Sequence, residues 1–253
     1  MLRNELEQAL NQLLRPDLVN DYCPNGLQVE GSIEINRIVT GVTASMQLIE
    51  SAIKCNADTI LVHHGYFWKN ESAQIIGMKK ARIKTLLKHD INLFAYHLPI
   101  DIHPTLGNNA QLGCLLSLNN IKALEGFKPN GIVMSGELTD TLSLASFANK
   151  IEMKLARKPT VIESPYANKS IKKVAWCTGG GQGYIDDVVG KDIDVFISGE
   201  ISEQTVHSAQ EQNIHFIAAG HHATERYGAK AVGEYLANEF GLDVTFIDCD
   251  NPA

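Results

Sequence analysis

Asp58-Thr59-Ile60-Leu61-Val62-His63-His64-Gly65-Tyr66-Phe67-Trp68 is the stretch whose reading decides the fold. A short apolar run bounded by a glycine is the pattern of a buried strand, and here it ends in two adjacent histidines. Successive side chains of a strand point to opposite faces, so both imidazoles can serve one site only if the backbone turns at Gly65. A second doublet, His221-His222, follows another apolar run, Ile214-His215-Phe216-Ile217-Ala218-Ala219, after Gly220. Nine histidines in 253 residues would give about 0.3 of an adjacent pair by chance. Two pairs, each just beyond an apolar run, point to a metal site.

The same rhythm spreads outward from residues 58–62. Strands are expected at 38–43, 58–62 and 91–96, with helices at about 3–14, 46–53, 78–88 and 108–117, which closes a β-α-β-α-β-α block. Residues 119–170 break the rhythm and read as a connector with its own structure: a strand at 131–136, a helix at 142–155, a short strand at 160–162 and a turn-rich run at 164–168. It returns from residue 171, with strands at 174–177, 194–198, 214–219 and 243–247 and helices at 184–189, 202–212 and 223–240. Laid over each other, the blocks superpose 38–42 on 174–177, 58–62 on 194–197, and 91–96 on 214–219. The second strands then end at His63-His64 and at Glu200. The third strands end at His97 with Asp101 and at His221 with Glu225, that is, His-x-x-x-Asp against His-x-x-x-Glu. The expectation is a single α/β domain of two pseudo-equivalent halves, about 1–118 and 171–253, with the metal site between them.

Composition narrows the function classes. A formal charge of −7 and a pI near 5.7 argue against a general nucleic-acid binder, which needs a basic surface for phosphate. Hydrophobic residues make up 44% of the chain, ample for a buried core. The five cysteines, Cys23, Cys55, Cys114, Cys177 and Cys249, are scattered and form no CxxC pair, so they read as reduced thiols rather than a disulfide or zinc-ribbon framework. The first residues lead straight into an amphipathic helix pattern, with no signal-peptide layout and no apolar run of bilayer length. A cytoplasmic protein with no membrane partner is expected.

Ligands in open α/β sheets gather outside the carboxyl ends of the strands, which is where the candidates fall. Imidazole with carboxylate and no thiolate suits a hydrolytic Zn, Mn, Fe, Co or Ni centre better than structural zinc or calcium. Five ligands exceed one tetrahedral ion and suit two ions about 3.5–4 Å apart, a pair that brings the pKa of water toward neutrality. His89 and His103 lack this context and read as structural, and His215, within a strand, as packing. His207, in a helix, faces either the site or solvent. Glu200 reads equally as a helix-capping acid and as a base. Residues 178–183 can cradle phosphate or merely turn tightly, and they match neither GxxxxGK[ST] nor GxGxxG. The basic helix Lys79, Lys80, Arg82, Lys84, Lys88 reads as a solvated face or as the rim of an opening that draws in anions. No GxSxG supports a serine nucleophile.

Five separate motifs, in order along the chain, carry a resemblance. Pro24-Asn25-Gly26-Leu27-Gln28-Val29-Glu30-Gly31, Val62-His63-His64-Gly65, His97-Leu98-Pro99-Ile100-Asp101 with Gly107-Asn108-Asn109, Thr178-Gly179-Gly180-Gly181, and Gly220-His221-His222-Ala223-Thr224-Glu225 together resemble the GTP cyclohydrolase 1 type 2 (NIF-three-like) family in its short bacterial form. The resemblance implies a two-lobed α/β fold with a dinuclear divalent-metal centre held by His63, His64, Asp101, His221 and Glu225, with His97 and Glu200 beside it as candidate catalytic groups. It also implies a toroidal homohexamer, and hydrolysis of GTP at the imidazole-ring carbon of guanine with loss of formate. Two other readings stand beside that one: a hydrolase of another phosphorylated or damaged nucleotide, and a non-catalytic metal-binding scaffold or regulatory protein.

Overall fold

The computed structural model describes all residues, 1–253. The chain divides into two compact units, residues 1–100 with 228–250, and residues 101–227 with 251–253. The first unit is built on a five-stranded sheet made from β1 (Gly26–Val29), β2 (Arg37–Thr43), β3 (Thr59–His64), β4 (Asn92–Ala95) and β11 (Asp243–Phe246), in the order β1-β4-β3-β2-β11. Around it lie α1 (Arg3–Leu14), α2 (Met46–Lys54) and α3 (Gly77–Lys88). The periodic leucines of α1 are its buried face, Leu6, Leu10 and Leu14. Ser45 starts α2 by accepting the Leu48 amide, so one of the orphan donors of the first turn is satisfied. The inner strands are apolar on both faces, as a parallel sheet covered by helices requires, and Val39, Ile60, Val62 and Leu93 meet Leu48, Ile49, Ile83 and Leu86 in one core.

The second unit carries six strands: β5 (Asn119–Ala123), β6 (Met134–Ser143), β7 (Thr160–Ile162), β8 (Ser170–Cys177), β9 (Val195–Ser198) and β10 (His215–Ala218), in the order β5-β6-β8-β9-β10-β7. Its helices are α4 (Leu98–Ile102), which enters it at Asp101, then α5 (Asn108–Leu115), α6 (Leu144–Leu155), α7 (Ile185–Val188), α8 (Glu203–Glu211) and the first turns of α9 (His221–Phe240). Its core gathers Trp176, Phe147, Ile151, Ile171, Val195 and Ile197, and the indole N–H of Trp176 donates to the Asn109 carbonyl at 2.8 Å.

The expected repeat is visible as topology. In one sheet β2, β3 and β4 run parallel as neighbours, and in the other β8, β9 and β10 do the same. Each third strand has an antiparallel partner on its outer side, β1 against β4 and β7 against β10. The remaining edges differ: β11 lies parallel to β2, whereas β6 lies antiparallel to β8. Residues 119–170 supply β5, β6 and β7 to the second sheet. The strand expected at 131–136 starts instead at Met134 and runs to Ser143, pairing with β8 at Met134–Glu137 and again at Leu142–Ser143 across an irregularity in the register. No helix of the structure is long and apolar enough to cross a membrane.

One motif explains how the histidine strand is held. A Cβ on Gly65 would sit 2.2 Å from Gln28 Oε1 and 2.5 Å from the Ala95 Cβ, so only glycine lets Gln28 reach the loop. There Gln28 accepts the Tyr66 amide at 2.7 Å and donates to the Tyr66 carbonyl at 3.1 Å. Gly65→Ala is therefore expected to cost about 1–3 kcal/mol of unfolding free energy in urea titration, the usual range for overpacking. Gly183→Ala, where nothing lies within 4 Å of the added carbon, should leave stability within about 0.5 kcal/mol. Equal effects at the two positions would refute this account of Gly65.

Candidate functional site

In the first unit the two histidines of the doublet are the last residues of β3 and not the start of the loop. His63 is fully buried and His64 half-buried, with ring centroids 4.3 Å apart. His64, the last residue of β3, still pairs with Thr43 of β2, and the chain leaves the sheet only after it, at Gly65. His97, two residues beyond β4, joins them: its ring centroid is 5.0 Å from that of His63 and 5.8 Å from that of His64. One ring nitrogen of each of the three lies within 4.8 Å of the others.

Each imidazole is oriented by a second group. The Nδ1 of His63 lies 3.3 Å from the Tyr96 carbonyl, which can only accept, so this nitrogen is the donor. The Nδ1 of His64 meets the Thr43 hydroxyl at 3.3 Å. The Nδ1 of His97 lies 2.7 Å from Asp21 Oδ1. Asp21 is well supplied with donors, taking the Leu98 amide at 2.9 Å, Asn25 Nδ2 at 2.9 Å and the Tyr22 amide at 2.6 Å. Burial pushes its carboxyl up, but the His97 hydrogen bond and charge, with Asn25 and the Tyr22 amide, outweigh it and hold the pKa below the usual aspartate value. Asp21 was not foreseen from the sequence. Its only signal was its place just before the Pro24–Gly31 motif, whose Asn25 also accepts the His97 amide at 2.7 Å.

In the second unit the carboxylates are the buried groups. Asp101 on α4 is 5% exposed and Glu225 on α9 is 3% exposed. Asn108 Nδ2 and the Thr178 hydroxyl donate to Asp101 Oδ1 at 2.9 and 3.3 Å. Both carboxylates are near enough to Cys177 to add to the effect of its burial, which raises the thiol well above its ordinary pKa. The helix α9 starts at His221, so His221 and Glu225, four residues apart, share one face of its first turn, and Nε2 lies 3.1 Å from Glu225 Oε2. The other ring nitrogen, Nδ1, lies 2.7 Å from Glu200 Oε1. Burial lowers the His221 pKa, but Glu225 and then Glu200 more than reverse this, and it stands at about 9. In the metal-free chain a proton thus occupies the place where two carboxylates and an imidazole favour a cation.

The glycine run lies against the acidic groups. A Cβ at Gly179, whose φ is +61°, would lie 1.9 Å from Glu225 Oε1 and 3.1 Å from His221 Nε2. The glycine clears space for a carboxylate. Its amide donates to the Thr224 hydroxyl at 3.0 Å, and the Thr178 amide to Asn109 Oδ1 at 3.0 Å, so two amides of the supposed cradle are already committed. The remaining histidines resolve as follows. His215 is buried, accepts the Ser164 amide and donates to the Asn168 carbonyl, pinning the turn after β7. His207 is exposed on α8 beside Glu211. His103 accepts the Leu106 amide, and His89 follows the end of α3.

Comparison with known proteins agrees with the arrangement of strands and motifs. The family model for Duf34/NIF3 (NGG1p interacting factor 3) matches residues 1–252. Proteins called "GTP cyclohydrolase 1 type 2 homolog" from Vibrio cholerae and Haemophilus influenzae are 58% and 59% identical to this chain, each over 98% of both sequences. A solved structure described as protein ybgI, of unknown function, superposes with a TM-score of 0.94 at 51% identity over the whole of both chains. The chain belongs to the Duf34/NIF3 family.

Proposed function

We propose that the chain is a divalent-metal hydrolase of a purine nucleotide, with His63, His64, Asp101, His221 and Glu225 as ligands of two ions per chain. The substrate taken here is GTP, after the name its relatives carry, with formate as a product. The observation that carries the reading is the burial of Asp101 and Glu225 beside His221. Ionised carboxylates are costly to remove from water unless a cation accompanies them, and a glycine has been placed where any side chain would collide with Glu225. The donor set of imidazole and carboxylate fits Zn, Mn, Fe, Co or Ni. When bound, such ions lower the pKa of water and polarise an acceptor group on the substrate.

The chain's own residues supply the rest. Tyr96, Thr43 and Glu200 contact the Nδ1 atoms of His63, His64 and His221, and Asn108 and Thr178 orient Asp101. These are the outer contacts that fix a ligand's tautomer and aim. His97, with Nδ1 bonded to Asp21, stands near His63 and His64 and is the candidate for moving protons at the site. Glu200 reaches His221 and Gln182, and its role is to hold the ligand. The same reading takes the chain as a subunit of a cytoplasmic, ring-shaped homohexamer, for which native mass measurement should give six chains.

Metal-loaded protein incubated with GTP should release formate. Failure with each of Mn, Zn, Fe, Co and Ni, metal being bound, would remove this chemistry and leave a hydrolase of another nucleotide or a metal-binding scaffold. Glu225→Ala and His64→Ala should each lower bound metal in elemental analysis; unchanged content in both would show that the ligands are wrongly assigned. Because the metal-free His221 pKa lies at about 9, cation binding near pH 7.5 should expel about one proton per chain from this residue, measurable by calorimetry in buffers of different ionisation enthalpy. The same ion pairs stabilise the metal-free fold fully below pH 6.5, and that contribution is lost as the pH rises through about 9.

A further inference from the structure

The loop after the histidine doublet is built to hold one side chain in place. Phe67 sits at φ 66°, in the left-handed region that a bulky residue avoids, and a single carboxylate oxygen, Glu71 Oε2, accepts the amides of Phe67 and Trp68 at 2.7 and 3.1 Å. Lys79, with its side chain only 11% exposed, pairs with Glu71 at 3.3 Å, donates to the Ser72 carbonyl and lies 4.7 Å from the centre of the Phe67 ring. Strain that is tied down this firmly fixes the position of Trp68, whose indole meets His97 edge-on at 4.9 Å and lies 5.9 Å from His64. A second aromatic ring stands on the same histidine: Tyr22, 60% exposed, lies 6.2 Å from His97. The two aromatic segments are fastened to each other, since the Lys69 amide donates to the Tyr22 carbonyl at 2.7 Å. Asp21 and Asn25, on either side of Tyr22, fasten that segment to His97.

Packing does not account for this arrangement. A tyrosine that mainly filled a core would be buried, and a loop with no duty toward Trp68 would relax the Phe67 backbone. We infer that Trp68 and Tyr22 form a wall on which a planar heteroaromatic ring stacks in front of His63, His64 and His97. The inference rests on the purine reading above, and it names the part of the nucleotide that this unit recognises as the base. Electron-rich indole and phenol faces stack on purines, tolerate the ring's substituents and cost little side-chain entropy.

Fluorescence of the full-length, metal-free protein tests the wall apart from catalysis. The chain has two tryptophans, and Trp176 is fully buried in the core of the second unit, so a change in the half-buried indole reports Trp68. Guanosine 5′-monophosphate should quench this emission, ribose 5-phosphate should not, and Trp68→Phe should abolish the signal. By equilibrium dialysis, Tyr22→Ala and Trp68→Ala should each weaken binding of guanosine 5′-monophosphate about tenfold, as expected for one lost base–aromatic stack. Because Tyr22 is exposed, Tyr22→Ala carries the test even if Trp68→Ala folds poorly. Binding within about twofold of wild type in Tyr22→Ala, or equal quenching by ribose 5-phosphate, overturns the wall. Base-dependent quenching without formate release from GTP upholds the wall while removing the hydrolase reading. Formate release with an unchanged KM in Tyr22→Ala removes the wall alone.

Discussion

The second unit is organised by the cost of burying negative charge. Asp101 and Glu225 are both withdrawn from water, and Cys177 next to them is kept protonated by burial and by their charges. The fold meets that cost locally. Asn108 and Thr178 donate to one carboxylate, and His221 is placed one helical turn before the other. Gly179 gives up a side chain so that Glu225 can stand where it does, and a Cβ on Gly199 would strike both the Gly179 carbonyl and the His221 Cα at 2.7 Å. The crossing of β8, β9 and α9 is therefore shaped by close approach to a charged group. Buried acids and imidazoles grouped in this way could hold a metal ion.

The first unit gathers imidazoles and gives each a partner at Nδ1. A strand end places His63 and His64, a carbonyl and a hydroxyl contact their Nδ1 atoms, and Asp21 does the same for His97. The Pro24–Gly31 segment, forming the edge strand β1, secures these ends through its polar side chains. Asn25 holds the start of α4 through the His97 amide, while Gln28 holds the loop after β3. Asn92, fully buried in β4, in turn accepts the Gly31 amide and donates to the Ser32 carbonyl.

Much of this was legible in the sequence because periodicity reports burial. The strands near 38–43, 58–62 and 174–177 and the leucine-rich first helix announce themselves, and the repeat drew attention to the strand ends where the histidines and acids lie. His221 and Glu225 stood out through the second doublet and through the match of His-x-x-x-Glu to His-x-x-x-Asp, although the helix expected from 223 starts at His221. Three features were hidden for physical reasons. The second half of β6 does not alternate, since Thr139, Asp140 and Thr141 are all exposed, and so it resembled loop. Asp21 is 76 positions from His97, and nothing local marks a carboxylate that is bonded to a distant ring. The glycines of 179–181 resemble a phosphate loop because close approach and phosphate cradling call for the same residue; Gly179 clears Glu225 and Gly181 clears the Cys177 sulfur.

The claim on which the rest depends is that these buried acids and imidazoles are metal ligands. Its most direct measure is the metal content per chain of the wild-type protein, purified without chelator from cells grown with Mn, Fe, Co, Ni and Zn. The account predicts about two divalent ions per chain, as a two-ion centre requires, with loss on chelation and recovery on adding metal back. Protein that is folded but carries no more than trace metal, and takes up none when it is supplied, would contradict it.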